Sequence, residues 1–313
     1  MLRRPFFYLS NQRQVAGFVR RNRLAKRFAG RFVAGETLND AVAAVRRLNA
    51  AGTTATLDLL GESVTNEAEA HAAGREHLEM LERIHGERLD ANVSLKLTAM
   101  GLDVSEELCV GIMQEILDCA RDLRTFVRID MESSAYTQRT LDLFEQHFFP
   151  SHREHVGVVL QSYLYRTLDD VARMNALGAR VRLCKGAYME PPSVAYPRKE
   201  DVDANYIRSM RVLLLEGTYP AIATHDETMI DETKRVVREH DIAAHRFEFQ
   251  MLYGIRRDLQ ERLVQEGYRM RVYVPFGTQW YPYLMRRLAE RPANVAFITG
   301  NVLRETFGSR RRG

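Results

Sequence analysis

The chain of 313 residues is 45% hydrophobic and 27% charged, enough apolar material for one large core and too much for a disordered or fibrous protein. Its formal net charge of +4 is unevenly placed: residues 1–35 hold nine basic side chains and no acid, leaving 36 basic against 41 acidic, a net −5, elsewhere. A basic body that would grip nucleic acid is therefore excluded, and no apolar run approaches the roughly 20 residues of a membrane span. The N-terminus has no signal-peptide apolar block, so a soluble protein is expected. Cys109, Cys119 and Cys184 are widely spaced, without a CxxC pair or histidines at zinc-ligand spacing, so buried free thiols in a reducing compartment are expected and a metal site is not.

The first predicted element lies in the basic segment. Val15, Phe18, Ala25, Phe28 and Phe32 fall at helical spacing among the arginines, an amphipathic helix for which three roles stay open: a transit peptide, a membrane-surface helix, or a helix packed on the domain. A second helix follows a Thr37-x-x-Asp40 capping box and carries Leu38, Val42 and Val45. Strands rich in β-branched and aliphatic residues are then expected at 53–60, 92–98, 126–131, 156–162, 180–185, 220–225, 246–252 and 270–276. Helix-rich stretches separate them, the first at 62–89 with Leu78, Leu81 and Ile84 on its apolar face. Eight strands alternating with helices over about the usual 250 residues predict an α/β chain folded as a (β/α)8 TIM barrel. Residues 1–52 then form an N-terminal helical segment on or near the barrel, and 53–313 the barrel with a basic tail at Arg310–Arg312. No GxGxxG or GxxxxGK[ST] loop supports a dinucleotide fold or a P-loop.

In such a barrel chemistry sits at the C-terminal ends of the strands, and there the sequence is polar. Lys96 interrupts Val-Ser-Leu-Lys-Leu, Asp130 ends Val-Arg-Ile-Asp, Gln161 follows Val-Val-Leu, Arg182 lies in Val-Arg-Leu, Gln250 ends Phe-Glu-Phe-Gln and Tyr273 sits in Val-Tyr-Val. Alternation puts Arg128 with Asp130, Arg182 with Cys184, and Glu248 with Gln250 on shared faces toward the interior. Buried charges need partners, and Lys96 with Asp130 or Arg182 with Glu248 are the candidate pairs. Lys185-Gly-Ala-Tyr188 follows a strand directly, a small-residue backbone beside a cation that suits a phosphate or a planar ring.

After the last strand, Tyr283, Arg286, Arg287 and Glu290 fall at i, i+3, i+4 and i+7 on one helical face. Two guanidiniums offer forked donors to a carboxylate and Glu290 an acceptor for an amine, a pattern that fits a small zwitterion. A Schiff-base aldolase using Lys96 or Lys185 leaves that pattern unexplained, and an interaction protein led by residues 1–35 leaves the polar strand ends idle.

The segments LDLLGE (57–62), VSLKLTAM (93–100), VRIDME (127–132), VRLCKGAY (181–188), ATHDE (223–227), FEFQMLYG (247–254), RVYVPFG (271–277) and YLMRRLAE (283–290) resemble, in order, the motifs of the proline dehydrogenase family. The likeness is to the short, single-activity bacterial form, and the barrel also resembles the proline dehydrogenase domain of the bifunctional proline utilisation flavoenzyme. The resemblance implies a distorted barrel with extra N-terminal helices, holding FAD non-covalently. In it L-proline is oxidised to Δ1-pyrroline-5-carboxylate by hydride transfer to the flavin N5, and electrons pass to a membrane quinone. A separate pyrroline-5-carboxylate dehydrogenase would complete the route to glutamate, in the cytoplasm with a peripheral contact on the inner face of the membrane. By motif match Arg286, Arg287 and Lys96 would bind the proline carboxylate and Glu290 its nitrogen. Tyr273, Tyr188 and Leu252 would wall the ring, with Tyr283 beside the arginines. Arg182 is expected near the flavin N5, Asp130 is expected to hold Lys96 in place, and Met131, Gln161, Lys185, Gly186, Ala187, Thr224 and His225 match flavin-contacting positions.

Overall fold

Thr37 opens the first helix that lies wholly within the described residues of the computed structural model, which are 29–61 and 64–290 apart from the side chains of residues 286 and 288–290. The expected capping box is present: the Asp40 N–H donates to the Thr37 hydroxyl at 3.2 Å and the Thr37 N–H to the Asp40 carboxylate at 3.0 Å. Such a cap is worth about 1 kcal/mol. The helix, α1 (Leu38–Ala50), buries Ala41, Val42, Ala44 and Val45 against the first and last strands.

The chain then alternates β1 (Thr54–Leu59), α2 (Glu67–Gly86), β2 (Ala91–Leu95), α3 (Glu106–Asp122), β3 (Val127–Ile129) and α4 (Ser134–Leu143). A π-helical turn at Phe144–Phe148 leads into α5 (Phe149–His152), β4 (Val156–Gln161), α6 (Thr167–Leu177), β5 (Arg180–Cys184) and α7 (Lys199–Glu216). The series ends with β6 (Ala221–Ala223), α8 (Glu227–Glu239), β7 (Glu248–Leu252), α9 (Arg257–Gln265), β8 (Met270–Phe276) and α10 (Trp280–Glu290). The strands pair in parallel in chain order, and β8 closes on β1 in a register running from Thr54 opposite Arg271 to Leu59 opposite Phe276. This is the expected (β/α)8 barrel.

Burial on both faces explains why the strands read as apolar runs. Leu57, Val93, Leu95, Val127, Ile129, Val158, Val181, Leu183, Phe249, Val272 and Val274 join one core cluster with helix residues such as Leu81, Ile84, Ile116 and Met210. The alternate positions, Asp58, Ser94, Arg128, Arg182, Glu248 and Gln250, are buried polar groups on the other face. The main apolar core is thus the shell between strands and helices, and the barrel interior is polar. Seven of the eight strands are shorter than expected and only β8 matches its predicted span. Strands β3 and β6 are cut most, to three residues each, because Asp130, Thr224 and His225 leave the ladder for the loops. The expected 62–89 helix spans Glu67–Gly86, with Leu81 and Ile84 buried and Leu78 at the edge of the core.

Residues 29–36 run over the C-terminal ends of β1 and β8. The Ala34 N–H donates to the Pro275 carbonyl at 2.8 Å and the Gly277 N–H to the Gly35 carbonyl at 3.0 Å. Ala29, Val33 and Leu60 pack with Trp280, Tyr281, Tyr283, Leu284 and Met285 in a second apolar cluster that ties this segment to α10. Phe32 packs at its edge, whereas Val15, Phe18, Ala25 and Phe28 of the predicted amphipathic helix lie outside the described residues. Among the described residues no helix is long and apolar enough to cross a membrane. All three cysteines are free, and only Cys109 is fully buried, so the expectation of three buried thiols holds for one.

Candidate active site at the C-terminal mouth of the barrel

Arg182, in β5, and Asp130, just past β3, meet across the interior. The guanidinium Nη1 lies 2.5 Å from the Asp130 Oδ1, both side chains being nearly buried, and the Tyr273 hydroxyl from β8 donates to the other carboxylate oxygen at 2.7 Å. The Arg182 guanidinium also sits over the Tyr273 ring, 5.2 Å from its centroid. Burial, then the Asp130 charge, push the Tyr273 phenol well above its ordinary range, so it stays a neutral donor. One charge-assisted knot fixes three residues from three strands.

Both ion pairs anticipated from the strand pattern are corrected. Lys96 lies 3.9 Å from Asp58 of β1, while Asp130 is taken by Arg182 and Tyr273. Glu248 pairs with Arg271 at 2.9 Å, and Arg182 does not reach it. Strand tilt and stagger decide which inward side chains meet, and alternation alone carries no information on either. Asp58 was missed, although an acid inside Leu-Asp-Leu is the same signal that singled out Lys96 and Arg182. Burial raises its carboxyl above the ordinary value against the pull of Lys96, and the Asp130 charge adds to the rise. His77 of α2 is buried nearby and held below its usual range by desolvation, so it stays neutral at pH 7.

The loop after β5 forms the adjoining wall. Gly186 has φ +106°, and a Cβ there would come within 2.3 Å of the Tyr163 ring, so the close approach of backbone and ring requires glycine. Lys185 is held by two carboxylates not anticipated from the sequence, Asp203 of α7 at 2.6 Å and Asp226, the N-cap of α8, at 2.8 Å. Burial works to raise the Asp226 carboxyl, yet Lys185 holds it below its ordinary value. Gln161 donates to the Glu132 carbonyl at 2.7 Å, and the Thr224 hydroxyl accepts the Asp226 N–H at 3.1 Å. His225 Nε2 accepts the Leu252 N–H at 2.9 Å, which leaves its ring proton on Nδ1. Met131 is buried, and Ala187 and Tyr188 are half-buried beside the loop.

The helix α10 covers this mouth. The Arg287 guanidinium lies over the Tyr283 ring at 5.2 Å from its centroid, as the helical spacing anticipates. At the end of β5, burial pushes the Cys184 thiol up to about 11 against the pull of the Arg182 charge. The side chains of Arg286 and Glu290 lie outside the described residues, although the helix carries both positions.

The family model for proline dehydrogenase matches residues 41–300. The chain belongs to the proline dehydrogenase family. It is 45% identical over 307 residues to proline dehydrogenase 1 of Bacillus subtilis subsp. natto, covering 97% of this chain and 100% of that one. With the proline dehydrogenase of Deinococcus radiodurans it shares 44% over 279 residues, 88% of this chain and 90% of the relative. Among solved structures, the proline utilization A protein of Bdellovibrio bacteriovorus, inactivated by N-propargylglycine, superposes with a TM-score of 0.81 at 26% identity. That match covers 88% of this chain and 34% of the solved one, so this chain spans about a third of that larger protein. Proline dehydrogenase activity makes the chain an oxidoreductase of proline catabolism, and the mouth described above is its candidate active site.

Proposed function

We propose that the enzyme oxidises L-proline to Δ1-pyrroline-5-carboxylate with FAD bound at this mouth, and that the electrons leave to a membrane quinone. The supporting observation is Arg182: it is 7% exposed, fixed by Asp130 and Tyr273, and its Nε has no hydrogen-bond partner among the described residues. A buried donor left over at the strand ends is what a bound acceptor group would satisfy. The neighbouring loop fits a flavin as well, since Gly186 brings backbone against Tyr163 and Lys185 supplies a cation that its two carboxylates keep in position.

FAD, when bound, supplies the two-electron acceptor that no side chain here provides. Met131, Gln161, Lys185, Gly186, Ala187, Thr224 and His225 would hold it, and Arg182 would stabilise negative charge at its reactive edge. Arg286, Arg287 and Lys96 would bind the proline carboxylate and Glu290 its nitrogen, with Tyr188, Leu252, Tyr273 and Tyr283 excluding water around the ring. Asp130 orients Arg182 and Tyr273, and Asp58 takes the partner role toward Lys96 that Asp130 does not fill. A separate dehydrogenase would take the product toward glutamate; within the N-terminal segment 1–52, packed on or near the barrel, the basic residues 1–35 would contribute a peripheral contact with the inner face of the membrane.

FAD-loaded enzyme supplied with L-proline and a soluble quinone should yield reduced quinone and a product two hydrogens lighter than proline. Arg182→Ala should slow this at least about a hundredfold, the usual loss when one preorganised electrostatic donor is removed. Proline turnover without FAD, or at full rate in Arg182→Ala, would overturn the proposal.

A further inference from the structure

At the opposite end of the barrel the N-terminal ends of the strands surround a cleft of about 960 Å3. That volume falls in the upper part of the ~300–1,000 Å3 range typical of small-molecule sites. Its lining holds six arginines against three carboxylates. Two of the six are neutralised, Arg271 by Glu248 at 2.9 Å and Arg121 by Asp118 at 2.6 Å. Among the described residues no carboxylate lies within 4.0 Å of Arg88, Arg124, Arg128 or Arg180. The proline chemistry at the other mouth uses none of these four.

Arg128 makes the case for a ligand. Its side chain is 3% exposed and lines the cleft, and its Nη1 donates to the Arg180 carbonyl at 2.6 Å and the Val158 carbonyl at 3.3 Å. Its buried Nε has no hydrogen-bond partner among the described residues. Burial, then the Arg182 charge, pull the guanidinium down to about 9 against a weaker opposing pull from Glu248, which is already paired with Arg271, so a closer anion would offset the cost of burying this cation. The barrel makes room for it nonetheless: a Cβ on Gly157 would come within 2.5 Å of the Arg128 Nη1 and 2.4 Å of the Arg180 carbonyl. Phe126 lies between the two cations, 4.8 Å from the Arg128 guanidinium and 5.3 Å from that of Arg180, which also stacks 5.6 Å from Tyr219. These ring contacts orient the forks without neutralising them.

At the rim, Arg88 follows the end of α2 and Arg124 the end of α3, each with φ 52°, a left-handed position that glycine usually fills. The two helix C-termini attract such cations, each with only about half a negative charge, and together with Asp90 and Glu154, the lining carboxylates outside the Arg271 pair, they still leave the four guanidiniums in excess.

We propose that this cleft binds a small phosphate-bearing polyanion, with Arg128 and Arg180 at the floor and Arg88 and Arg124 at the mouth. Guanidinium forks match phosphate oxygens in pairs, and four forks lining one cleft offer more donors than a single carboxylate could accept from, which suits a diphosphate group. The site is independent of the flavin reading, since it lies at the other end of the barrel.

Full-length protein saturated with FAD, so that the flavin site is filled, is titrated calorimetrically with pyrophosphate and separately with sodium chloride at equal ionic strength. Saturable one-site binding is expected with pyrophosphate alone. Arg180→Gln and the rim double variant Arg88→Gln/Arg124→Gln should each weaken it at least about tenfold, with proline turnover unchanged. Circular dichroism checks that each variant is folded, and the exposed rim pair decides if Arg180→Gln is not. Heat no greater than that of the chloride control, or pyrophosphate binding undiminished in the folded variants, would overturn the site.

Discussion

Removing the Asp130 carboxylate strands two groups at once, the Arg182 guanidinium and the Tyr273 hydroxyl. Breaking one side of a buried pair leaves an uncompensated charge, so Asp130→Ala should lose about 3 kcal/mol in urea denaturation. Stability within about 0.5 kcal/mol of wild type would show that the pair is dispensable. Glu248 gives a test with a pH signature. Burial opposes its ionisation, but Arg271 and Arg128 hold its carboxyl below the ordinary value, so the folded state favours the charged form. A depressed carboxylate stabilises the protein above its unfolded pKa and loses that contribution as pH falls through the folded one. Glu248→Gln should therefore be less stable than wild type at pH 7, with the gap closing below about pH 4. A gap that is constant with pH would contradict the ionised pair.

At the scale of elements, the segment 29–36 and α10 form one unit over the strand ends, joined through Ala29, Val33, Leu60 and Trp280, whose Nε1 donates to Glu36 at 3.1 Å. This bears on the basic N-terminal segment, because the described packing involves Ala29, Phe32 and Val33, whereas the proposed membrane contact rests on basic side chains of which eight precede Ala29. A chain beginning at Ala29 loses eight of the nine basic side chains of residues 1–35 but keeps Val33 and the Ala34 hydrogen bond. It should retain its melting temperature and its activity with a soluble acceptor, while losing binding to anionic vesicles, where each basic residue contributes ~1 kcal/mol. A chain beginning at Glu36 should melt several degrees lower in addition, since two buried apolar side chains are lost with it. Vesicle binding that survives in the Ala29 chain would remove the membrane role, and equal melting of both chains would remove the packing role.

For the molecule as a whole, the strands were legible because burial on both faces makes each one an apolar run, and each of the eight expected segments overlaps a strand. Lys96, Asp130, Arg182 and Tyr273 stood out as polar interruptions of those runs. What the sequence withheld was partnership. Arg182 and Glu248 share a rung through Ala221, yet Glu248 turns to Arg271 while Arg182 crosses the interior to Asp130. The carboxylates around Lys185 were equally hidden, because Asp203 of the next helix and Asp226 at the N-cap of α8 reach it only through the geometry of the intervening loops.

The most direct test is an anaerobic titration of FAD-loaded protein with L-proline, followed in the visible flavin band. Proline should bleach the band fully and saturably, with Arg182→Ala bleaching far more slowly. A bound flavin that proline leaves oxidised, or protein that takes up no FAD, would contradict the assignment of the C-terminal mouth as a flavin-dependent proline site.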